Sequence, residues 1–192
     1  MRVYRRWLDY CPRRVILPSM DIDKTKGSPA VLCVSGLKKS GKTALIEALI
    51  PLLAAEGIKT AVIKHHGHSF GSEIPDKPGT DTYRFLANGA FGTVIYDDQL
   101  FMCVKRQTAG TGDLIPLFPE ADLIIIEGAK AEAYPRIAML RTGQPLTSDA
   151  GTLLCAVTDP GYDRAALPEG LPCFDFGDFA PVAALVLDFL SR

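Results

Sequence analysis

The stretch Ala30-Val31-Leu32-Cys33-Val34-Ser35-Gly36-Leu37-Lys38-Lys39-Ser40-Gly41-Lys42-Thr43 decides how this chain is read. From Gly36 to Thr43 it satisfies G-x-x-x-x-G-K-[ST] at every fixed position, the pattern of a P-loop. Glycines at 36 and 41 let the backbone wrap closely around phosphate oxygens with its N–H groups turned inward. A helix starting behind the loop brings its positive end to the same spot. The expected ligand is a purine nucleoside triphosphate with Mg²⁺. Lys42 should reach the β and γ phosphates, and the Thr43 hydroxyl should ligate the metal. Gly36, Lys39, Ser40 and Gly41 complete the expected nucleotide-binding set. Lys38 and Lys39 at the loop tip also read as plain solvated charge.

Both flanks supply the context that the pattern needs. Residues 30–35 form an apolar run suited to a buried parallel strand. Residues 43–55 carry Leu45, Ile46, Leu49, Leu52 and Leu53 at helical spacing, with Pro51 as a bend and Gly57 as the stop. Working outward, strands are predicted over 58–64, 91–96, 100–105, 123–126, 136–141, 153–157 and 173–176. The pair 91–96 and 100–105 reads as a hairpin around Asp97-Asp98-Gln99. Helices are predicted over 80–88, 113–118 and 179–190. Strands alternating with helices give an α/β fold. The expected architecture is P-loop NTPase-like, a mostly parallel sheet flanked by helices in three layers, α/β/α.

The chain divides into a peripheral N-terminal extension or linker over 1–29 and a nucleotide-binding domain over 30–192. Residues 1–14 hold five arginines opposed only by Asp9, and a polar linker follows. Such a start reads as an organelle transit peptide or as an extension ahead of a natural start at Met20. Trp7, Tyr4, Tyr10 and Pro12 break any clean amphipathic pattern.

Composition narrows the function classes. The chain has 192 residues, 47% of them hydrophobic, which is one domain's worth with a sizeable core. Its 21 basic and 22 acidic residues give a net charge of −1, so charge does not point to nucleic acid. No run is long enough to span a bilayer, and no apolar signal core opens the chain. Cys11, Cys33, Cys103, Cys155 and Cys173 form no CxxC pair. They read as reduced core thiols of a cytoplasmic protein.

In an open parallel sheet, ligands bind beyond the carboxyl ends of the strands. Beyond residue 63 stand Lys64, His65 and His66, with His68 two further on. Lys64 and His65 suit anion binding. The three histidines also admit a metal cluster or structural polar packing, though no cysteine or carboxylate follows at ligand spacing. Glu127 follows four aliphatic residues, as the second acidic element of a P-loop enzyme should. There it would coordinate Mg²⁺ or position a water. Asp81 reads equally as a first-turn acid of the 80–88 helix and as a metal contact. Asp159 could accept two N–H bonds from a guanine edge, and reads as well as a turn acid before Pro160.

Several of these pieces, in this order, resemble the molybdopterin-guanine dinucleotide biosynthesis protein B family, GTP-binding members of the SIMIBI group. The resemblance spans roughly 30–192. It rests on the P-loop, Ile63-Lys64-His65, Asp76-Lys77-Pro78-Gly79-Thr80-Asp81-Thr82-Tyr83, and Gly89-Ala90. It continues through Asp122-Leu123-Ile124-Ile125-Ile126-Glu127-Gly128-Ala129-Lys130, Arg136-Ile137 and Ala156-Val157-Thr158-Asp159. It implies GTP binding with Mg²⁺ and slow hydrolysis. The implied role supports a guanylyltransferase partner (protein A) that attaches GMP to molybdopterin, and a homodimer. It places Gly41, Lys42 and Thr43 on phosphate and Mg²⁺, Glu127 and Asp81 near the metal, and Asp159 near the base. Lys42 and Glu127 then carry hydrolysis, while Lys64, His65 and Lys130 are candidates for binding an anion or substrate, and the Lys38–Lys39 tip would suit a pterin phosphate or an acidic partner surface. Two other functions fit the residues without the resemblance. One is an ATP-dependent small-molecule or nucleotide kinase, disfavoured by a middle stretch offering only Arg84 and Arg106. The other is a non-enzymatic adaptor switched by GTP.

Overall fold

The computed structural model describes residues 28–66, 74–147 and 150–192. The expectations for residues 1–27 and for Gly67 and His68 lie outside the described residues. The described residues fall into two compact units, one within His66–Asp113 and one made of those before and after it.

The larger unit is built on a parallel sheet of six strands. β1 is Ala30–Gly36, β2 Thr60–Lys64, β5 Leu123–Glu127, β6 Arg136–Leu140, β7 Leu153–Thr158 and β8 Cys173–Asp175. Their order is β2-β5-β1-β6-β7-β8, with every neighbouring pair parallel. β5 and β6 are almost wholly buried, so both faces of the central strands are covered. This explains why they read as continuous aliphatic runs rather than as alternating patterns.

One face packs against two full helices, α1 (Lys42–Ala55) and α4 (Ala180–Leu190). Leu45, Leu49 and Leu53 from α1 and Val182, Val186 and Phe189 from α4 join Leu32, Ile125, Ile137, Met139 and Val157 in the main core. The opposite layer is thinner. There Cys33, Ile124 and Ile126 meet Leu114 and Ile115. The predicted helix over 113–118 is a single turn, α3 (Thr111–Leu114), running into a 3₁₀ turn at Ile115–Leu117. Pro116 cannot donate to a continuing α-helix, which accounts for the tighter turn. Pro51, by contrast, sits inside α1 without ending it.

The smaller unit holds α2 (Asp81–Ala87) and a two-stranded antiparallel sheet of β3 (Gly92–Tyr96) and β4 (Phe101–Lys105). Asp76 organises the start of α2. One carboxylate oxygen accepts the Thr82 hydroxyl at 2.6 Å and the Thr80 hydroxyl at 3.3 Å, and the other accepts the Lys77 N–H at 2.7 Å. Thr80 in turn accepts the Tyr83 N–H as N-cap. The D-K-P-G-T-D-T motif is thus a self-contained capping network. The Thr82 hydroxyl bond is the main reason the Asp76 carboxyl titrates below its ordinary value.

The expectation of core thiols needs one correction. Cys33 and Cys155 are buried, and burial pushes the Cys155 thiol far upward, but Cys103 is exposed on β4. A period-2 strand in a two-stranded ribbon leaves side chains uncovered that a central strand would bury. Among the described residues no helix is long and apolar enough to cross a membrane.

Candidate functional site

The carboxyl ends of β1, β2 and β5 converge on the P-loop. Gly36 carries φ of 146°, Lys39 65° and Gly41 99°, so the loop turns through three conformations that favour glycine, and two of the three positions are glycine. A Cβ on Gly36 would collide with the Met139 carbonyl oxygen on neighbouring β6. Gly41 caps α1 with no side-chain hydrogen bond, and the first turn holds no acidic residue. The orphan N–H groups of that turn are therefore left for an anion.

Lys42 lies folded over the loop. Its ammonium donates to the Leu37 carbonyl at 2.8 Å and the Gly36 carbonyl at 3.2 Å. Partial burial lowers its pKa, the Glu127 carboxylate opposes that, and Lys130 and Lys64 push the same way as burial. Lys64 and Lys130 thus stand close enough to act on the Lys42 charge, an excess of positive charge suited to phosphates.

Glu127 is the hub. The Thr43 hydroxyl donates to it, 3.2 and 3.3 Å from its two oxygens, and Lys64 Nζ is 3.1 Å away. The parallel register Lys64↔Glu127 and Val34↔Glu127 brings these strand ends level. His65 joins through its N–H to the Glu127 carbonyl at 3.0 Å. After Glu127 the chain turns through Gly128 at φ 96° and Ala129 at φ 48°, and Lys130 follows. A hydroxyl and a carboxylate set side by side are the hard oxygen donors that Mg²⁺ prefers. The residues present fit that ion.

Asp159 stands at the end of β7. Its carboxylate accepts the Thr142 hydroxyl at 2.5 Å and the Thr142 N–H at 3.0 Å. These two bonds, the hydroxyl first, hold its pKa below the usual carboxylate value, with a smaller contribution from nearby Arg141. A depressed folded-state pKa means the bonded form is favoured above the unfolded pKa and is lost as pH falls through the folded one. A carboxyl NMR titration is expected to place the Asp159 midpoint below that of an unstructured aspartate. The Thr142 amide resonance should move with it. A midpoint at the ordinary value would refute the bonded geometry.

Asp81 belongs to the smaller unit. It is strongly exposed and faces Arg84 at 3.5 Å. Among the described residues no group of three or more His, Cys, Asp or Glu could hold a metal by itself.

Two residues of this edge escaped the sequence reading. Arg141, just past β6, donates from Nε to the Ser40 carbonyl at 3.0 Å. Its guanidinium lies 3.6 Å from the ring centroid of Phe176, just past β8. Arg141 follows the rule that leads to Lys64, Glu127 and Asp159, an ionisable group where a strand ends; Phe176 carries no such signal. The expected strands 136–141 and 173–176 include them, whereas β6 ends at Leu140 and β8 at Asp175.

Comparison with known proteins supplies an independent line. Residues 31–159 match the family model for molybdopterin guanine dinucleotide synthesis protein B. The chain is 30% identical over 155 residues to a probable molybdopterin-guanine dinucleotide biosynthesis adapter protein of Bacillus subtilis (strain 168), covering 80% of this chain and 88% of that one. It is 32% identical over 175 residues to the adapter protein of the same pathway in Escherichia coli (strain K12), covering 84% and 94%. Among solved structures, Bacillus subtilis MobB superposes with a TM-score of 0.66 at 26% identity, covering 84% of this chain and 97% of that one.

Proposed function

The chain belongs to the molybdopterin guanine dinucleotide synthesis protein B family, and from that premise we propose that it is a GTP- and Mg²⁺-binding adapter with slow GTPase activity. It has a role in molybdopterin-guanine dinucleotide biosynthesis, assisting the conversion of the molybdopterin cofactor to its guanine dinucleotide form. The observation that carries the nucleotide reading is Thr43 bonded to Glu127 beside Lys42, at the uncapped start of α1.

In this reading the Gly36, Lys39, Ser40 and Gly41 backbone and Lys42 hold the triphosphate. Thr43 and Glu127 would hold Mg²⁺, which would supply neutralisation of phosphate charge. Glu127 also orients the attacking water. Asp159 reads the guanine edge with the lone pairs that Thr142 and Gly161 leave open. Lys64, His65 and Lys130 face a second anion, a pterin phosphate or an acidic patch of the guanylyltransferase partner. The metal role of Asp81 rests on its motif alone. Calorimetric titration with GTP and ATP in Mg²⁺ tests this. GTP is expected to bind at least about tenfold tighter, roughly 1.4 kcal/mol. An ATP preference would instead support a kinase.

We also propose that the chain forms a homodimer through the smaller unit. The hairpin exposes Val94, Ile95, Tyr96, Leu100 and Phe101, all more than half accessible. Large apolar side chains left uncovered on both faces of a two-stranded ribbon offer a surface for an interface. Ile95→Glu combined with Phe101→Glu is expected to shift the protein from dimer to monomer in sedimentation velocity, with the larger unit still folded. A wild-type protein that sediments as a monomer at high micromolar concentration would rule the dimer out.

A further inference from the structure

The loop after β6 touches the phosphate cradle from behind. Arg141 Nε donates to the carbonyl of Ser40, a residue whose own side chain is completely buried. The peptide that carries this carbonyl also carries the Gly41 N–H. A trans peptide is planar, so its C=O and N–H point in opposite directions. A donor that fixes the carbonyl on one side therefore fixes the N–H on the other.

Arg141 is itself held in place. Its guanidinium stacks on Phe176 at 3.6 Å, and Phe176 meets Phe179 edge-on with ring centroids 5.4 Å apart. Its carbonyl accepts the Gln144 N–H at 2.8 Å. The next residue, Thr142, is anchored by Asp159. Packing at Gly41 is tight on this side, for a Cβ there would lie 2.5 Å from Phe176 Cε2 and 2.8 Å from Arg141 Nη2.

We infer that Arg141 is a positioning residue of the phosphate cradle. By holding the Ser40 carbonyl it locks the Ser40–Gly41 peptide in the orientation that presents the Gly41 N–H to bound phosphate, with Phe176 as the brace that keeps the guanidinium in register. The inference rests on the nucleotide reading above and deepens it. A free Ser40–Gly41 peptide, with glycine on one side, could rotate to offer its carbonyl to the anion instead. That orientation would repel phosphate.

The test compares two ligands, GTP and inorganic tripolyphosphate, each titrated with Mg²⁺ into the full chain by calorimetry. Arg141→Ala is expected to weaken both by the same factor, about tenfold, because the lost contact acts on the cradle that both ligands share. Arg141→Lys keeps a donor without the planar stack and should recover part of the loss. Phe176→Leu should weaken both ligands equally and by less. Melting midpoints without ligand establish that each variant folds, and if Arg141→Ala does not, Arg141→Lys and Phe176→Leu carry the comparison. Unchanged affinities across the folded variants would overturn the inference. So would a loss for GTP with tripolyphosphate unaffected, which would place Arg141 on the base. A wild-type protein that binds neither ligand would overturn the nucleotide reading itself.

Discussion

Lys42→Ala is expected to remove GTP binding, with affinity falling at least about a hundredfold, near 2.7 kcal/mol. Charge-assisted hydrogen bonds are roughly twice as strong as neutral ones, and this ammonium would make them to two phosphates at once. It donates to the Leu37 and Gly36 carbonyls of its own loop. Those bonds hold the side chain over the cradle, so little ordering remains to be done on binding. The loop itself is stapled by backbone contacts, such as Ser40 N–H to the Leu37 carbonyl at 3.2 Å. The variant should therefore keep its melting midpoint while losing its isotherm. Affinity within about threefold of wild type would mean that Lys42 is not a phosphate ligand.

Ile125→Ala is expected to be the most damaging conservative truncation of the core. Ile125 is fully buried on β5, between Leu32 of β1 and Val62 of β2 in register. Its neighbours belong to rigid parallel strands, so the space left cannot readily collapse. Large-to-small changes of this kind cost about 2–5 kcal/mol. At about 3 kcal/mol the melting midpoint should fall by roughly 6–12 °C. Val62→Ala on edge strand β2, where the side chain is 38% exposed, should cost much less. Equal effects from the two would contradict the strand order.

Much of the fold was legible because its signals are short-range. Aliphatic runs such as Leu123–Glu127 report strands buried on both faces wherever those strands end up. Turn glycines mark where helices stop. Failures occurred where a local pattern competes with a local exception. Pro116 turned a predicted helix into a 3₁₀ step, and Cys103 sits in a strand that looks like core but belongs to an exposed ribbon. The separation of residues 66–113 as a unit of their own is not announced by hydrophobic periodicity, which reports strands and helices but not how they cluster.

By itself the sequence determined the P-loop, the alternation of strand and helix, and the ionisable groups waiting at the strand ends. All of these are written in spacings of a few residues, where backbone geometry and side-chain periodicity act directly. The tertiary structure alone decided which strand ends meet. Thr43 reaches Glu127 across 84 positions, and Arg141 reaches Ser40 across 101. Such contacts depend on the order β2-β5-β1-β6-β7-β8. Parallel strands are joined by long crossovers, and β1 takes its neighbours β5 and β6, and β2 its neighbour β5, from far along the chain, so no local pattern can name the partner.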